Sequence, residues 1–167
     1  STIPNDYGAK FSNWILFKIK EIILLKRTSL NFVNDTLSKN PNWKILDIGC
    51  GYRPNKYATV LADIQDFSES YKNKKFIKIN EKKLPFKDKE FDFVIASHVI
   101  EHVEDFEFFI SELERIASKG YIELPTRFAD NLVFENKEDH IWWFIFDDTK
   151  NEILASKKNQ IIDPFIT

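Results

Sequence analysis

A short apolar segment that ends in two closely spaced glycines is the most informative part of this chain. Ile45-Leu-Asp-Ile48 has the composition of a buried strand, and Gly49 and Gly51 follow it directly. Glycines at such a turn let a ligand approach the backbone more closely than a Cβ would allow. Asp63 stands twelve residues after Gly51, where a carboxylate can accept hydrogen bonds from two ribose hydroxyls. The spacing indicates a nucleotide-like ligand, although a tight turn with nothing bound also fits the two glycines taken alone.

Short apolar runs separated by turn residues continue along the chain, which is typical of buried parallel strands. We place strands at Trp43–Ile48, Thr59–Ile64, Phe76–Ile79, Phe91–Ala96 and Tyr121–Leu124, a helix at Asp105–Ser118, and a hairpin at Ile141–Phe146 and Glu152–Ser156 that closes one edge of the sheet. The prediction is an α/β fold, with a Rossmann-like, mostly parallel sheet flanked by helices and a C-terminal antiparallel hairpin.

Two helices are predicted before the first strand. Between Phe11 and Lys26 apolar residues recur at helical spacing, and Thr28 or Ser29 is a candidate N-cap for a second helix that Asn40-Pro41 ends. We expect residues 1–42 to form a helical cap or lid on the core at residues 43–167, within one domain. The first helix packs on the core, mediates an oligomer contact or lies on a membrane surface, and it is not a transmembrane segment.

Charge and cysteine content limit the partners that the chain can have. Twenty-four basic and 26 acidic residues give a net charge of -2, so no overall field draws the chain to nucleic acid. Eight lysines lie between Lys72 and Lys89 and could touch RNA, but such a run is more often a solvated face. A single cysteine forms no internal disulfide, and no signal peptide pattern is present. We therefore expect a cytoplasmic protein for which nucleic acid is an unlikely partner.

Three motifs taken together resemble the class I S-adenosylmethionine-dependent methyltransferases of the small-molecule type. They are Ile45-Leu-Asp-Ile-Gly-Cys-Gly51, Leu84-Pro-Phe86 and Phe91-Asp-Phe-Val-Ile-Ala-Ser-His-Val-Ile-Glu-His-Val103. The resemblance covers about residues 43 to 125 and implies S-adenosyl-L-methionine as the cofactor. It also implies that the first motif wraps the methionine end of that cofactor.

The resemblance assigns individual roles in cofactor binding. It implies that Asp63 binds the ribose, that Ile64 lies against the adenine, and that Asn80 accepts a hydrogen bond from the adenine amino group in place of the usual Asp. Ser97 and His98 match the segment that lines the methionine moiety. The remaining positions of the first motif are Asp47, which braces the loop, and Gly49, Cys50 and Gly51.

The segment Tyr52-Arg-Pro-Asn-Lys-Tyr57 departs from the family pattern. It lacks the third glycine, and about ten residues separate the first two strands, fewer than the dozen or more that a helical crossover needs. We therefore predict a shortened first crossover with a very short helix or none. Arg53 could replace the helix N-terminus by binding the cofactor carboxylate, or it could be an exposed residue of a turn that Pro54 initiates.

The histidines allow two kinds of chemistry. His98-Val-Ile-Glu-His102 spells a pattern of one zinc-peptidase class, but the methyltransferase motif already accounts for these residues, so we expect no metal. Transfer to an oxygen acceptor needs a base, and His102 is the better candidate, with His98 second. A structural role is an alternative for both. Glu123 and His140 are expected near the mouth of the site.

The combined prediction is methyl transfer from S-adenosylmethionine to a small-molecule, sugar or lipid-precursor acceptor. A catalytically silent binding module of the same fold is the main alternative, because the altered loop and Asn80 depart from the family. An RNA methyltransferase and an NAD-dependent oxidoreductase are further alternatives. The oxidoreductase is disfavoured since Pro54 stands where the third glycine of G-x-G-x-x-G belongs.

Overall fold

The computed structural model describes the backbone of residues 12–18 and, in full, most of residues 28–80, 82–125, 140–147, 149–150 and 152–158. The elements are β1 (Ser12–Lys18), α1 (Leu30–Ser38), β2 (Ile45–Ile48), β3 (Val60–Asp63), β4 (Lys75–Lys78), β5 (Phe93–Ser97), a 3₁₀ helix (Ile100–His102), α2 (Phe106–Ile116), β6 (Lys119–Pro125), β7 (Trp142–Asp147) and β8 (Glu152–Lys157). Six strands form one sheet in the order β1-β6-β5-β2-β3-β4, and all neighbours except β1 and β6 pair in parallel. The predicted Rossmann-like sheet is confirmed.

The central strands are buried on both faces. Alternate residues face opposite sides, so Leu46 and Val94 pack in the core cluster that contains residues of α2, whereas Ile45 and Phe93 pack in the cluster that contains residues of α1. Burial on both faces explains why these segments are continuous apolar runs without a polar alternation. Because β2 pairs in parallel with β3 and with β5, the carboxyl ends of these three strands lie side by side at one end of the sheet.

Both helices of the described core begin at side-chain caps. The Ser29 hydroxyl accepts from the Phe32 amide at 3.2 Å, and the Asp105 carboxylate accepts from the Phe108 amide at 3.1 Å. These bonds satisfy amides that lack a partner inside the helix. The predicted N-cap at Ser29 and the predicted helix at Asp105–Ser118 are thus confirmed, with α2 ending at Ile116.

The predicted helix between Phe11 and Lys26 is wrong over residues 12–18. This segment is β1, which pairs antiparallel with β6 from Ser12 opposite Pro125 to Lys18 opposite Lys119. Its aromatic and β-branched run favours a strand, and pairing satisfies the backbone groups along the edge of β6. Residues 19–26 lie outside the described residues. The division at residue 42 into a cap and a core stays a prediction.

The predicted hairpin is present, but it does not close an edge of the main sheet. β7 and β8 pair only with each other among the described strands. The hairpin packs instead against the first residue of α2, where the ring centroid of Phe106 lies 5.0 Å from that of Trp142 and 5.2 Å from that of Phe144. The residue before β7 reaches the 3₁₀ helix, since the Ile141 amide donates to the Glu101 carbonyl oxygen. The edge beside β6 is occupied by β1, and the hairpin forms a separate two-stranded sheet. The prediction that the hairpin closes an edge of the main sheet was therefore wrong.

The first crossover is as short as predicted, because residues 49–59 connect β2 to β3 through turns without a helix. The lysine-rich segment contributes to this region, since the Lys74 ammonium donates to the Ala58 carbonyl oxygen at 3.0 Å. Lys74 therefore has a structural contact and is not simply part of a solvated face. No helix in the described part of the chain is long and apolar enough to cross a membrane.

Candidate functional site

The glycine loop is fixed to β3 by backbone hydrogen bonds. The amides of Gly49 and Cys50 both donate to the Ala62 carbonyl oxygen, at 2.8 and 3.3 Å. Gly49 has a φ of 69° and Gly51 has a φ of 49°, which is the left-handed region that glycine enters without strain. The chain therefore turns sharply as it leaves β2.

The two glycines differ in what surrounds them. A Cβ on Gly49 would lie 2.3 Å from Cγ2 of Val99, whereas a Cβ on Gly51 would meet no atom of the described residues within 4 Å. Gly49 is thus required for close packing against the segment after β5. Gly51 leaves open space beside the backbone, which is the property expected where a ligand approaches.

Asp63 connects the loop to the end of β3. Its carboxylate accepts from the Gly51 amide at 2.9 Å and from the Gln65 amide at 3.0 Å, through different oxygens. The residue is only 8% exposed and lines a cavity. A carboxylate has about four acceptor positions, so two backbone bonds leave capacity for further donors such as ribose hydroxyls. The predicted binding residue is therefore held in a fixed orientation by the loop itself.

Tyr71 is a second support of the loop that sequence reasoning missed. Its hydroxyl donates to the Gly51 carbonyl oxygen at 2.6 Å, and its ring packs against Phe76 and Phe67. Burial raises the pKa of the Tyr71 phenol, which keeps the hydroxyl a donor at neutral pH. No sequence motif marks this residue, because its role depends on a contact between positions 20 residues apart.

A larger cavity of about 830 Å³ opens at the carboxyl ends of β2, β3 and β5. Its lining includes residues at and after the end of β3, which are Asp63, Ile64, Gln65, Ile79, Lys82 and Leu84, and residues after β5, which are His102, Val103, Glu104, Asp105, Phe108, Phe109 and Ile141. Gly49, His98 and Val99 also contribute to its wall. Ile64 is 74% exposed, so its side chain is accessible to a flat apolar ligand in this cavity.

A smaller cavity of about 600 Å³ lies on the other side of Gly49 and His98. Its charged and polar lining includes Asp47, Arg53, Asn55, Lys56, Ser97 and Glu123. Gly49 and His98 line both cavities, so the two are adjacent. The smaller cavity brings the cation Arg53 and the carboxylate Glu123 together, which suits the zwitterionic end of a ligand that extends from the larger cavity.

The structure does not place every predicted residue at these cavities. Asp47, Gly49, Cys50, Arg53, Asp63, Ile64, Ser97, His98 and His102 line at least one of them, and Gly51 reaches the site through its bond to Asp63. Asn80 is exposed and lines neither cavity. The predicted contact of Asn80 with the adenine is therefore not supported by the side chain's position.

Asp47 binds the backbone of the first crossover. Its carboxylate accepts from the Asn55 amide at 2.6 Å, which ties the middle of the shortened segment to β2. The side chain is 4% exposed, and burial raises the pKa of Asp47 from 3.8 to about 6 despite that hydrogen bond. Ionisation of Asp47 therefore lowers the free energy of unfolding, although the same carboxylate is needed to bind the Asn55 amide.

Asp47→Asn should become more stabilising relative to the wild type as the pH rises. Because the carboxyl has the higher pKa in the folded state, the wild type loses stability between about pH 4 and pH 7, and the shift from 3.8 to about 6 corresponds to about 3 kcal/mol. Urea unfolding of both proteins at pH 4 and pH 7.5 measures this difference.

The matched control is Glu69→Gln, which removes an exposed carboxylate that pairs with Lys72 at 3.0 Å. Its effect on the free energy of unfolding should stay within about 0.5 kcal/mol at both pH values. A difference between Asp47→Asn and wild type that does not change with pH would contradict the assigned burial cost.

His98 is held between two carboxylates at the boundary of the cavities. Its Nδ1 lies 3.2 Å from Glu101 Oε1, and its Nε2 lies 3.3 Å from Glu123 Oε1. These hydrogen bonds raise the pKa of His98 to about 9. The imidazole is then protonated at neutral pH and cannot accept a proton, which disfavours His98 as the predicted base. Its φ of 55° shows that the backbone is strained to place it there.

The Leu84-Pro-Phe86 loop is positioned by a charged pair that sequence reasoning also missed. The Glu112 carboxylate accepts from the Leu84 amide at 2.7 Å, and the Arg115 guanidinium donates to the carbonyl oxygens of Phe86 and Leu84 at 2.8 and 3.0 Å. Arg115 also donates to Glu112 at 2.7 Å. The spacing of three residues between Glu112 and Arg115 on α2 indicates an ion pair, but it does not indicate that the pair binds the backbone of the Leu84-Pro-Phe86 loop. These bonds hold Leu84 at the wall of the larger cavity.

Comparison with known proteins agrees with this geometry. Residues 46–122, a little under half of the 167 residues, match a family model described as a methyltransferase domain. No curated protein matches the sequence significantly.

Several solved structures are similar to part of the chain. They include the trans-methyltransferase CalH in complex with SAH (TM-score 0.42, 21% identity, 52% of this chain and 32% of that chain). They also include a SAM-dependent methyltransferase from Thermotoga maritima (0.40, 21%, 52% and 46%) and the PH0226 protein from Pyrococcus horikoshii OT3 (0.39, 25%, 55% and 55%). The chain therefore spans less than two thirds of the length of each of these three structures.

Proposed function

We propose that this chain binds S-adenosyl-L-methionine and transfers its methyl group to a small-molecule, sugar or lipid-precursor acceptor, in keeping with the match of residues 46–122 to a methyltransferase domain and with the parallel sheet. The observation that carries the proposal is the junction of Asp63 with Gly51. A buried carboxylate with unused acceptor positions lies directly beside a glycine that leaves open space. A ribose with two free hydroxyls fits this junction better than a ligand without a diol.

The two cavities suggest how the cofactor lies. Asp63 would bind the ribose in the larger cavity, and the exposed Ile64 would contact the adenine there. The amino-acid end would pass Gly49 into the smaller cavity, where Arg53 offers a positive group and Glu123 a negative one for the zwitterion. Asn80 has no role in this arrangement.

The cofactor supplies an electrophilic methyl group, so the residues of the chain have to align the acceptor and exclude water. The end of the larger cavity beside Phe108 and Phe109 offers aromatic surface next to polar side chains and is the place that we assign to the acceptor. His102 lies at the same end and faces the space an acceptor would occupy. The assignment favours an acceptor with an apolar body, and its identity stays open.

Turnover distinguishes an enzyme from a silent module of the same fold. Purified chain is incubated with S-adenosylmethionine labelled on the methyl group and a panel of small metabolites, sugars and lipid precursors. We expect labelled product and S-adenosylhomocysteine in equal amounts with at least one acceptor class. Saturable cofactor binding without product from any class would favour the binding module.

Arg53→Ala tests how the charged end of the cofactor is held without a helix N-terminus. Arg53 is exposed, so the loss of one charged hydrogen bond should weaken S-adenosylhomocysteine binding by about tenfold. Binding of 5′-methylthioadenosine, which has no carboxylate, should be unchanged. Calorimetric titration with both ligands measures the difference.

Lys56→Ala is the control, because Lys56 lines the same smaller cavity with the same charge but its ammonium lies over the Tyr57 ring at 4.9 Å. It should change neither affinity by more than about twofold. Equal effects of Arg53→Ala on both ligands would show that Arg53 does not contact the carboxylate.

A further inference from the structure

Three potential metal ligands come together beside the larger cavity. Glu101, His102 and His140 each offer one ligand atom, and these atoms lie within 4.8 Å of one another. The histidine rings meet edge to face, with centroids 4.5 Å apart. We expected no metal from the sequence, because the H-x-x-E-H pattern lacked a third ligand in a suitable context.

The buried carboxylate of Glu101 is the observation that points to a cation. The residue is completely buried, and one of its oxygens, Oε1, lies 3.2 Å from His98 Nδ1. The other oxygen, Oε2, is buried and has no hydrogen-bond partner among the residues that the structure describes. A buried carboxylate oxygen without a donor is costly, and a bound cation would remove that cost.

Two hydrogen bonds hold His140 against the 3₁₀ helix. The amide of Ile141, the next residue, donates to the Glu101 carbonyl oxygen at 2.8 Å. The Trp142 indole donates to the Val103 carbonyl oxygen at 3.0 Å. Packing of the hairpin against the 3₁₀ helix thus places His140 beside His102. The two residues are 38 positions apart in the sequence, so no local pattern indicated that they are close.

We propose that Glu101, His102 and His140 form a binding site for one divalent transition-metal ion, such as Zn²⁺. Two imidazole nitrogens and one carboxylate oxygen are ligands that Zn²⁺ accepts at about 2.0–2.2 Å. Tetrahedral ligands at that radius lie about 3.3 Å apart, so the three groups need to close by about 1.5 Å at most. His102 is exposed and can rotate to do so.

The site has three protein ligands, which leaves a coordination position open, as in catalytic rather than structural zinc sites. His102 also lines the larger cavity, so the proposed site lies beside the end assigned to the acceptor. An ion there would hold an oxygen of the acceptor, a consequence that rests on the proposed function. The same assignment makes His102 a metal ligand instead of the predicted base.

Metal binding is tested on the full chain without an affinity tag, after chelator treatment and dialysis. Calorimetric titration with zinc chloride should show one ion per chain. His102→Ala and His140→Gln should each weaken binding by at least about 100-fold, since loss of even an outer-shell partner costs 10–100-fold. No S-adenosyl ligand is present, so the result does not depend on the proposed function.

His98→Gln is the matched control, because His98 contacts Glu101 but is not one of the three ligands. It should still bind one zinc ion per chain, with the affinity lowered by no more than the roughly 10–100-fold expected for an outer-shell partner and therefore by less than in either ligand variant. Loss of zinc in His98→Gln with retention in His140→Gln would overturn the assignment in favour of the H-x-x-E-H pair. Absence of saturable binding to the wild type would overturn it altogether.

Folding of the variants needs a separate measurement because His140 is buried. His102 is exposed, so His102→Ala should unfold thermally within a few degrees of the wild type in the absence of metal. Zinc should raise the unfolding temperature of wild type and His98→Gln but not of His102→Ala. An equal increase in all three proteins would contradict the proposal.

Discussion

Asp63→Ala should weaken binding of S-adenosylhomocysteine by at least about 100-fold. Two hydrogen bonds from ribose hydroxyls to a charged acceptor contribute about 1.5–3 kcal/mol each, and their loss exceeds the 2.7 kcal/mol that corresponds to 100-fold. The Gly51 amide also loses the acceptor that it contacts at 2.9 Å, so one of the bonds that fix the loop would be lost as well. Calorimetric titration of the wild type and the variant measures the effect.

Asp66→Ala is the matched control, because this carboxylate lies three residues further along, is exposed and lines neither cavity. It should bind S-adenosylhomocysteine within about twofold of the wild type. Asp63→Asn separates folding from binding, since it keeps the size of the side chain and one acceptor oxygen. Wild-type affinity in a folded Asp63→Ala protein would show that the cofactor does not lie on Asp63.

Gly49→Ala should lower the free energy of unfolding by about 3 kcal/mol. An added Cβ would lie 2.3 Å from Cγ2 of Val99, and overpacking of this kind costs about 1–3 kcal/mol. The φ of 69° adds about 1–2 kcal/mol for a residue with a Cβ. Urea unfolding measures the loss.

Gly51→Ala and Val99→Ala separate the two causes. Gly51 has a φ of 49° and open space, so its substitution by Ala should cost only the backbone strain of about 1–2 kcal/mol. Adding Val99→Ala to Gly49→Ala should recover the part due to the clash, giving a coupling of about 1 kcal/mol or more in a double-mutant cycle. A Gly49→Ala protein as stable as Gly51→Ala would contradict the close contact with Val99.

The buried strands were predictable because their sequences permit few other structures. β2, β3 and β5 are short apolar runs that end at turn residues, and a chain with this alternation forms a parallel sheet. The N-terminal segment was not predictable in the same way. Trp14, Ile15 and Phe17 satisfy helical spacing and strand propensity equally, and only pairing with β6 decides between them.

The candidate site was predictable where one segment carries the chemistry. The junction of Gly51 and Asp63 follows from a strand, a turn and the next strand, all close in sequence. Contacts between segments that are distant in the chain produce no local sequence pattern, so they could not be predicted. The Tyr71 hydroxyl on the loop and the approach of His140 to Glu101 depend on how separate elements dock, which local sequence does not specify.

Calorimetric titration of the full chain with S-adenosylhomocysteine tests most directly whether the site binds an S-adenosyl cofactor. A separate titration with NAD tests the alternative of a dinucleotide site. The geometry of Asp63, Gly51 and the two adjoining cavities predicts one binding site with a dissociation constant on the order of 1 μM, or about 8 kcal/mol. NAD should give no saturable heat. No binding of S-adenosylhomocysteine, or equal binding of NAD, would contradict the assignment of this site to an S-adenosyl cofactor.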